Sequence, residues 1–248
     1  MINIKLTIEY DGTEYYGWQR QKKLKSIQKI LEDKISCMTR EEIKINGSGR
    51  TDAGVHAFGQ VANFKTNCHI PVHKIPFILN NLLPSDIRIK KAEKVNDDFH
   101  ARYSATSKLY HYYIFNSDKS HLFPSFLITK YVYFIYNRLD ILKMRKACKM
   151  LSGEHDFSSF ACSGSSIKNP VRNIKRLAIK RNRNIICFQI EANAFLYKMV
   201  RSIVGTLLEI GQCKIDCHDM KRILDAKNRS SGGISIPAKG LFLMQVKY

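Results

Sequence analysis

In the stretch GSGRTDAGVHA, residues 47–57, a guanidinium (Arg50) and a carboxylate (Asp52) stand two positions apart among Gly47, Gly49 and Gly54. Glycine admits backbone angles closed to other residues and lets a bulky ligand approach the main chain. An arginine keeps a neighbouring aspartate ionised, and an ionised carboxylate can act as a nucleophile or a base. The same planar guanidinium also suits a nucleic-acid phosphate. A phosphate-binding P-loop is excluded, because no Gly-Lys-Ser/Thr follows, and the dinucleotide fingerprint fails because Asp52 takes the place of its last glycine. An ordinary Asx-type turn, with Asp52 bonding its own loop, stays open on spacing alone. His56, at the start of the next strand, reads as a hydrogen-bonded structural residue rather than a general acid. Ser48 has no adjacent base to make it a nucleophile.

The elements that must position this loop follow from periodicity. Ile2, Ile4, Leu6, Ile8 and Tyr10 alternate with polar residues, so the chain opens on a half-buried strand. Ile27, Ile30, Leu31, Ile35 and Met38 share a helical face, with Ser26 as N-cap. EEIKIN (41–46) reads as a short strand entering the loop and HAFGQVANFKT (56–66) as the strand leaving it. A helix over 75–83 and a strand at 87–95 complete the first half. In the second half, ATSKLYHYYIFN (105–116) is a strand, and Met144, Ala147, Cys148 and Leu151 mark a helix ended by Gly153. Residues 171–180 and 184–193 form a hairpin around Arg181 to Arg183, 194–211 is the strongest helix, and 240–248 is a last strand. This order predicts an α+β protein with mainly antiparallel sheets, in two similar subdomains, 1–104 and 105–248. Residues 116–138 fit several readings.

Lys plus Arg number 41 against 21 Asp plus Glu, a formal charge of +20 spread along the chain. Such a field captures polyanions, pointing to nucleic acid or an anionic membrane. No stretch has the roughly 18 to 20 apolar residues of a membrane span, and the N-terminus lacks a signal peptide's apolar block, so a cytoplasmic protein without a membrane partner is expected. Seven cysteines at irregular spacing read as free thiols. CKIDCH (Cys213, Cys217, His218) resembles half a metal site without a second ligand pair, so no metal is expected.

The loop closely resembles the catalytic motif of the TruA-type tRNA pseudouridine synthases. YDGTEYYGWQRQ (10–21), NLLPSDIRI (81–89), FHARYSATSKLYHYYIFN (99–116), GEHDFSSF (153–160), NAFLYKMVRSIVGTLLEIG (193–211) and PAKGLFL (237–243) resemble the family's blocks in the family's order. The match is weak at 116–138 and 161–170. The resemblance implies the pseudouridine synthase fold, with both subdomains in one extended sheet and the active-site cleft between them. It implies cofactor-free isomerisation of uridine to pseudouridine at positions 38, 39 and 40 of the tRNA anticodon stem-loop, by a homodimer. Asp52 is then the catalytic aspartate, attacking C6 or C1′ or acting as a base. Arg50 fills the vacated stack or fixes Asp52, Tyr110 packs against the target base, and Arg201 partners Asp52. Tyr112 is expected on the opposite strand face from Tyr110, in the core. Basic loops carrying Arg20, Lys22, Lys23 and Arg102 would hold the RNA backbone. A tRNA-binding or folding protein on the same scaffold is the rival reading. A magnesium nuclease lacks a carboxylate cluster near Asp52.

Overall fold

The computed structural model describes residues 1–117, 123–162 and 169–248. Parts of the ambiguous segments 116–138 and 161–170 therefore lie outside the described residues. The elements run β1 (Ile2–Tyr10), α1 (Ile27–Thr39), β2 (Asn46–Gly47), β3 (His56–Thr66), α2 (Ile75–Leu82), β4 (Ile87–Val95) and β5 (Ser107–Asn116). They continue β6 (Tyr133–Ile135), α3 (Ile141–Met150), β7 (Gly153–Asp156), β8 (Val171–Asn182), β9 (Ile185–Ala192), α4 (Met199–Gly211), α5 (Asp219–Asp225) and β10 (Leu241–Lys247). The layout is α+β, and pairing is mainly antiparallel. Two compact units emerge: Met1–Thr106 with Phe242–Tyr248, and Ser107–Leu241.

In the first unit β1 lies between β4 and β3, antiparallel to both, and β10 joins the far side of β3 in parallel through Phe242 opposite His56. Alternation buries Ile4, Leu6, Ile8 and Tyr10 on one face of β1, and the apolar stripe of α1 buries Ile27, Leu31 and Ile35. Ser26 precedes α1 but does not cap it through its side chain. The first helical N–H groups instead reach backbone carbonyls, Ile27 to Gly17 at 3.2 Å and Gln28 to Trp18 at 3.0 Å. Backbone oxygens thus do the work that a capping hydroxyl would otherwise do.

EEIKIN is not a strand up to Asn46. Its N–H groups go to side chains of α1: Ile43 donates to Ser36 Oγ at 3.0 Å and Ile45 to Glu32 Oε1 at 3.2 Å. Only Asn46 and Gly47 reach β3. The alternation is real, since Ile43 and Ile45 are buried, but period two does not say which groups accept the hydrogen bonds.

In the second unit β9 pairs antiparallel with β5 and β8, β8 pairs with β7, and β6 runs parallel to β5. The hairpin turns at Arg183–Asn184, with Arg183 in the left-handed region at φ 50°. Helix α3 starts on Asp140, whose Oδ1 accepts from Lys143 N–H at 3.0 Å. It ends at Met150 with Leu151 as its cap, so Gly153 (φ +95°) opens β7 instead of closing the helix. Helix α4 starts at Met199 rather than Ala194, because Lys198 sits in the left-handed region at φ 61°.

A strand repeats every two residues, so Tyr110 and Tyr112 share one face of β5, correcting the expectation of opposite faces. Both are buried there, with Ile114 beyond them. The Tyr112 hydroxyl donates to the Pro237 carbonyl at 2.7 Å. Burial holds its phenol neutral at working pH, with the nearby Arg201 opposing that shift. Tyr112→Phe is expected to cost about 1–2 kcal/mol by leaving a carbonyl unanswered. A chemical denaturation curve with an unchanged slope checks this.

Candidate active site

The loop of residues 47–55 is held on both sides. Thr51 C=O accepts from Trp18 N–H at 3.0 Å, and Gly54 N–H donates to Tyr15 C=O at 3.3 Å. Asp52 C=O accepts from Val55 N–H at 3.2 Å, closing a tight turn over Gly54 at φ +75°. The supporting segment is 12–18, and its glycines make the approach possible. A Cβ on Gly12 would lie 2.0 Å from the Val55 carbonyl oxygen, and one on Gly17 2.4 Å from that of Thr51. The indole of Trp18, itself buried, fills the space over Gly47.

Asp52 is half-buried between buried Thr51 and exposed Ala53. Arg50 is exposed, and its Nε–H donates to Gln19 Oε1 at 3.0 Å. The guanidinium is thus held by Gln19 of the 18–21 segment. His56 is buried, with Nδ1 3.0 Å from Asp11 Oδ1 and 3.1 Å from Gly12 N, and its ring stacks on Phe242 with centroids 4.6 Å apart. It is a structural residue pinning the 11–12 turn, as its position suggested. Ser48 is fully buried and donates to Gln60 Oε1 at 2.7 Å, which leaves it no nucleophilic role.

The basic loop residues of the first unit differ among themselves. Arg20 Nη1 lies 3.3 Å from Glu32 Oε2, an ion pair whose arginine is largely solvated and so worth little to stability. Lys22 and Lys23 are exposed, and Lys25 Nζ sits 4.5 Å from the centre of the Tyr15 ring. Exposed Arg102 lies over Tyr103 at 5.5 Å.

In the second unit Tyr110 is 7% exposed and meets Phe195 edge-on at 5.0 Å. Arg201 stands in the first turn of α4, half-buried, and donates Nε–H to Ile236 C=O at 2.6 Å. Residues 232–237 run directly along α4. A Cβ on Gly205 would meet the Ile234 oxygen at 2.0 Å, and Gly233 N–H donates to Thr206 Oγ1 at 2.8 Å. Tyr112 and Arg201 thereby hold the consecutive carbonyls of Pro237 and Ile236.

Asp216, Cys217 and His218 bring potential ligand atoms within 4.8 Å of one another. They form the turn before α5: His218 N–H and Nδ1 both engage Asp216 Oδ1, at 2.9 and 2.7 Å, which holds that carboxyl below its usual range. Cys213 is exposed, with Lys143 Nζ 3.4 Å from its sulfur.

Sequence reasoning gave Tyr10 only a place on the buried face of the first strand and gave Thr51 and Gln60 no role. Their signal was a glutamine inside the apolar run GQVANF, a polar residue where alternation calls for a core side chain. Among the described residues no helix is long and apolar enough to cross a membrane.

Comparison with known proteins follows the same residues. The family described as "tRNA pseudouridine synthase" matches residues 6–104 and 147–248, leaving 105–146, and with it Tyr110, between the matched stretches. The chain is 46% identical over 248 residues to "tRNA pseudouridine synthase A" of Acetivibrio thermocellus and to that of Caldicellulosiruptor saccharolyticus. It is equally similar to "tRNA pseudouridine synthase A 2" of Clostridium perfringens, and each comparison covers 100% of both chains. One solved structure, a Cbf5-Nop10-Gar1 complex, matches at 13% identity and a TM-score of 0.40, over 97% of this chain and 48% of that one. So distant a likeness supports no statement about this chain. The full-length identity and the two matched stretches, the first of which contains the Asp52 loop, show that the chain belongs to the tRNA pseudouridine synthase family.

Proposed function

We propose that this protein isomerises uridine to pseudouridine in tRNA, at positions 38, 39 and 40 of the anticodon stem-loop, with Asp52 as the catalytic carboxylate. The observation that carries this is a half-buried carboxylate on a loop fixed from both sides, in a chain with full-length relatives of that name. The N1–C1′ bond breaks, the uracil turns while it is held, and C5 bonds to C1′. The proton lost from C5 goes to solvent and N1 gains one, so the reaction needs no cofactor. Asp52 drives it by attack at C6 or C1′, or as a base at the sugar.

A paired base cannot present these atoms, so the nucleotide leaves the stack at a cost of about a few kcal/mol. Tyr110 offsets part of that cost by packing against the base, a contact worth roughly 1–3 kcal/mol. Arg50 serves the vacated space, since its guanidinium is exposed and braced by Gln19. Arg201 contributes the second guanidinium of the site. Lys22, Lys23 and Arg102 grip phosphates, as does Arg20 once released from Glu32, which makes binding weaken steeply with salt. The enzyme acts in the cytoplasm as a homodimer, a state that size-exclusion chromatography checks.

Pseudouridine mapping of unmodified tRNA after incubation with the purified protein tests the reading. New pseudouridine is expected at positions 38–40 only. Binding without any new pseudouridine would favour the tRNA-binding alternative.

A further inference from the structure

Behind the Asp52 loop lies a buried hydrogen-bond network that the reaction as described does not use. Its hub is Gln60 on β3, which is fully buried. Gln60 faces Ile8 across the β1–β3 pair, so its side chain emerges on the face that also carries Tyr10. The register shifts by one residue between Ile8 and Tyr10, a bulge on β3 beside the loop. Such bulges re-aim side chains near functional sites.

An amide offers two acceptor sites and two donors, and Gln60 engages three of them with partners around the loop and its own strand. Oε1 accepts from Ser48 Oγ–H at 2.7 Å and from Val61 N–H at 3.1 Å. Nε2 donates to Gly49 C=O at 3.1 Å. The Tyr10 hydroxyl lies 2.8 Å from Thr51 Oγ1. Burial pushes the Tyr10 phenol up to about 12, with the neighbouring Thr51 and Gln60 side chains partly offsetting this, so it stays neutral and acts only through hydrogen bonding. Residues 48, 49 and 51 are therefore each tied to the network, and Asp52 is the next residue along.

We propose that Gln60 and Tyr10 are positioning residues for the reaction, setting the place of the Asp52 carboxylate through Ser48, Gly49 and Thr51. This rests on the functional reading above. A buried amide held by three hydrogen bonds is rigid because movement strands a donor or acceptor away from water. Core packing alone would be served as well by leucine at position 60 and phenylalanine at position 10. The polar choice makes sense when the loop must hold one position to a fraction of an ångström.

The test measures single-turnover release of tritium from uridine C5 in tRNA, together with the tRNA Kd and the unfolding midpoint. Tyr10→Phe removes one hydroxyl from a ring that keeps its packing. Gln60→Glu keeps both acceptor sites and loses both donors. Each variant is expected to lower the rate constant about tenfold or more, while the tRNA Kd stays within about twofold. The double variant Tyr10→Phe with Thr51→Val should be no slower than the slower single one, because both remove the same bond. Should Gln60→Glu not fold, Tyr10→Phe and Ser48→Ala carry the measurement. Folded variants that turn over within about twofold of wild type overturn the proposal, as does a loss of tRNA affinity matching the loss of rate. A wild-type protein that releases no tritium sinks the functional reading and the proposal with it.

Discussion

Asp52→Ala leaves a protein that folds and binds tRNA but releases tritium from uridine C5 at least about a thousandfold more slowly than wild type. The size follows from what is removed. Proton transfer by a positioned group alone contributes roughly 10²–10⁴-fold, and a nucleophile that forms the intermediate contributes more. Stability should hardly change. Asp52 is half-buried, and the backbone hydrogen bonds that hold the loop, such as Val55 N–H to Asp52 C=O, are kept by alanine. RNA binding should be undiminished or slightly stronger, because one negative charge leaves a protein of net charge +20 that meets a polyanion. Asp52→Asn sharpens the test, since the amide keeps the shape and loses the charge. If either variant turns over within about tenfold of wild type, the carboxylate is not the chemistry. If both lose RNA binding in step with rate, the loop is a docking surface.

Much of the scaffold was legible because its pattern is local. The strands expected at 56–66 and 87–95 match β3 and β4 to the residue, and the 3.6-residue stripe after Ser26 found α1. Where the sequence misled, the missing information was non-local. Ile43 and Ile45 alternate like a strand, yet their N–H groups are taken by Ser36 and Glu32, which no window over 41–46 contains. The apolar spacing of 194–198 continues that of α4, but Lys198 turns left-handed and Met199 N–H bonds Leu196 C=O, so the helix starts late. Nothing in the alternation of residues 241–247 says that this strand returns to lie parallel to β3.

The candidate site divides in the same way. Spacing set Arg50 beside Asp52, but it could not show that Gln19, thirty-one residues away, accepts a hydrogen bond from that guanidinium. A residue's type reveals its chemistry, whereas its partner depends on the fold. The glycines show this best. Gly12 and Gly17 stand some thirty to forty residues before the loop in sequence, yet their close contact is with the backbone of Thr51–Val55. They belong to the site as fully as the glycines inside the loop.

Gly17→Ala should therefore cost activity well beyond its cost in stability. The residue sits at φ +86°, where a side chain is strained by about 1–3 kcal/mol. Its Cβ would also stand 2.4 Å from the Thr51 carbonyl oxygen, 3.0 Å from the Asp52 carbonyl carbon and 3.1 Å from Ala53 N. These are main-chain atoms with no rotamer to relieve the clash, so the loop must retreat by about 1 Å to reach ordinary van der Waals distance. A misplacement of about 1 Å costs roughly a hundredfold in rate, and that loss is expected in single-turnover tritium release. Gly153→Ala supplies the control. Its φ of +95° imposes similar strain, but its added Cβ meets only the His155 ring nitrogen, at 3.9 Å. It should lower the unfolding free energy by about as much as the strain term and leave the rate alone. Two variants equally destabilised and equally active would show that the Gly17 contact does not set the place of Asp52. A rate loss confined to Gly17→Ala would show that the 12–18 segment is the template on which the catalytic loop is held.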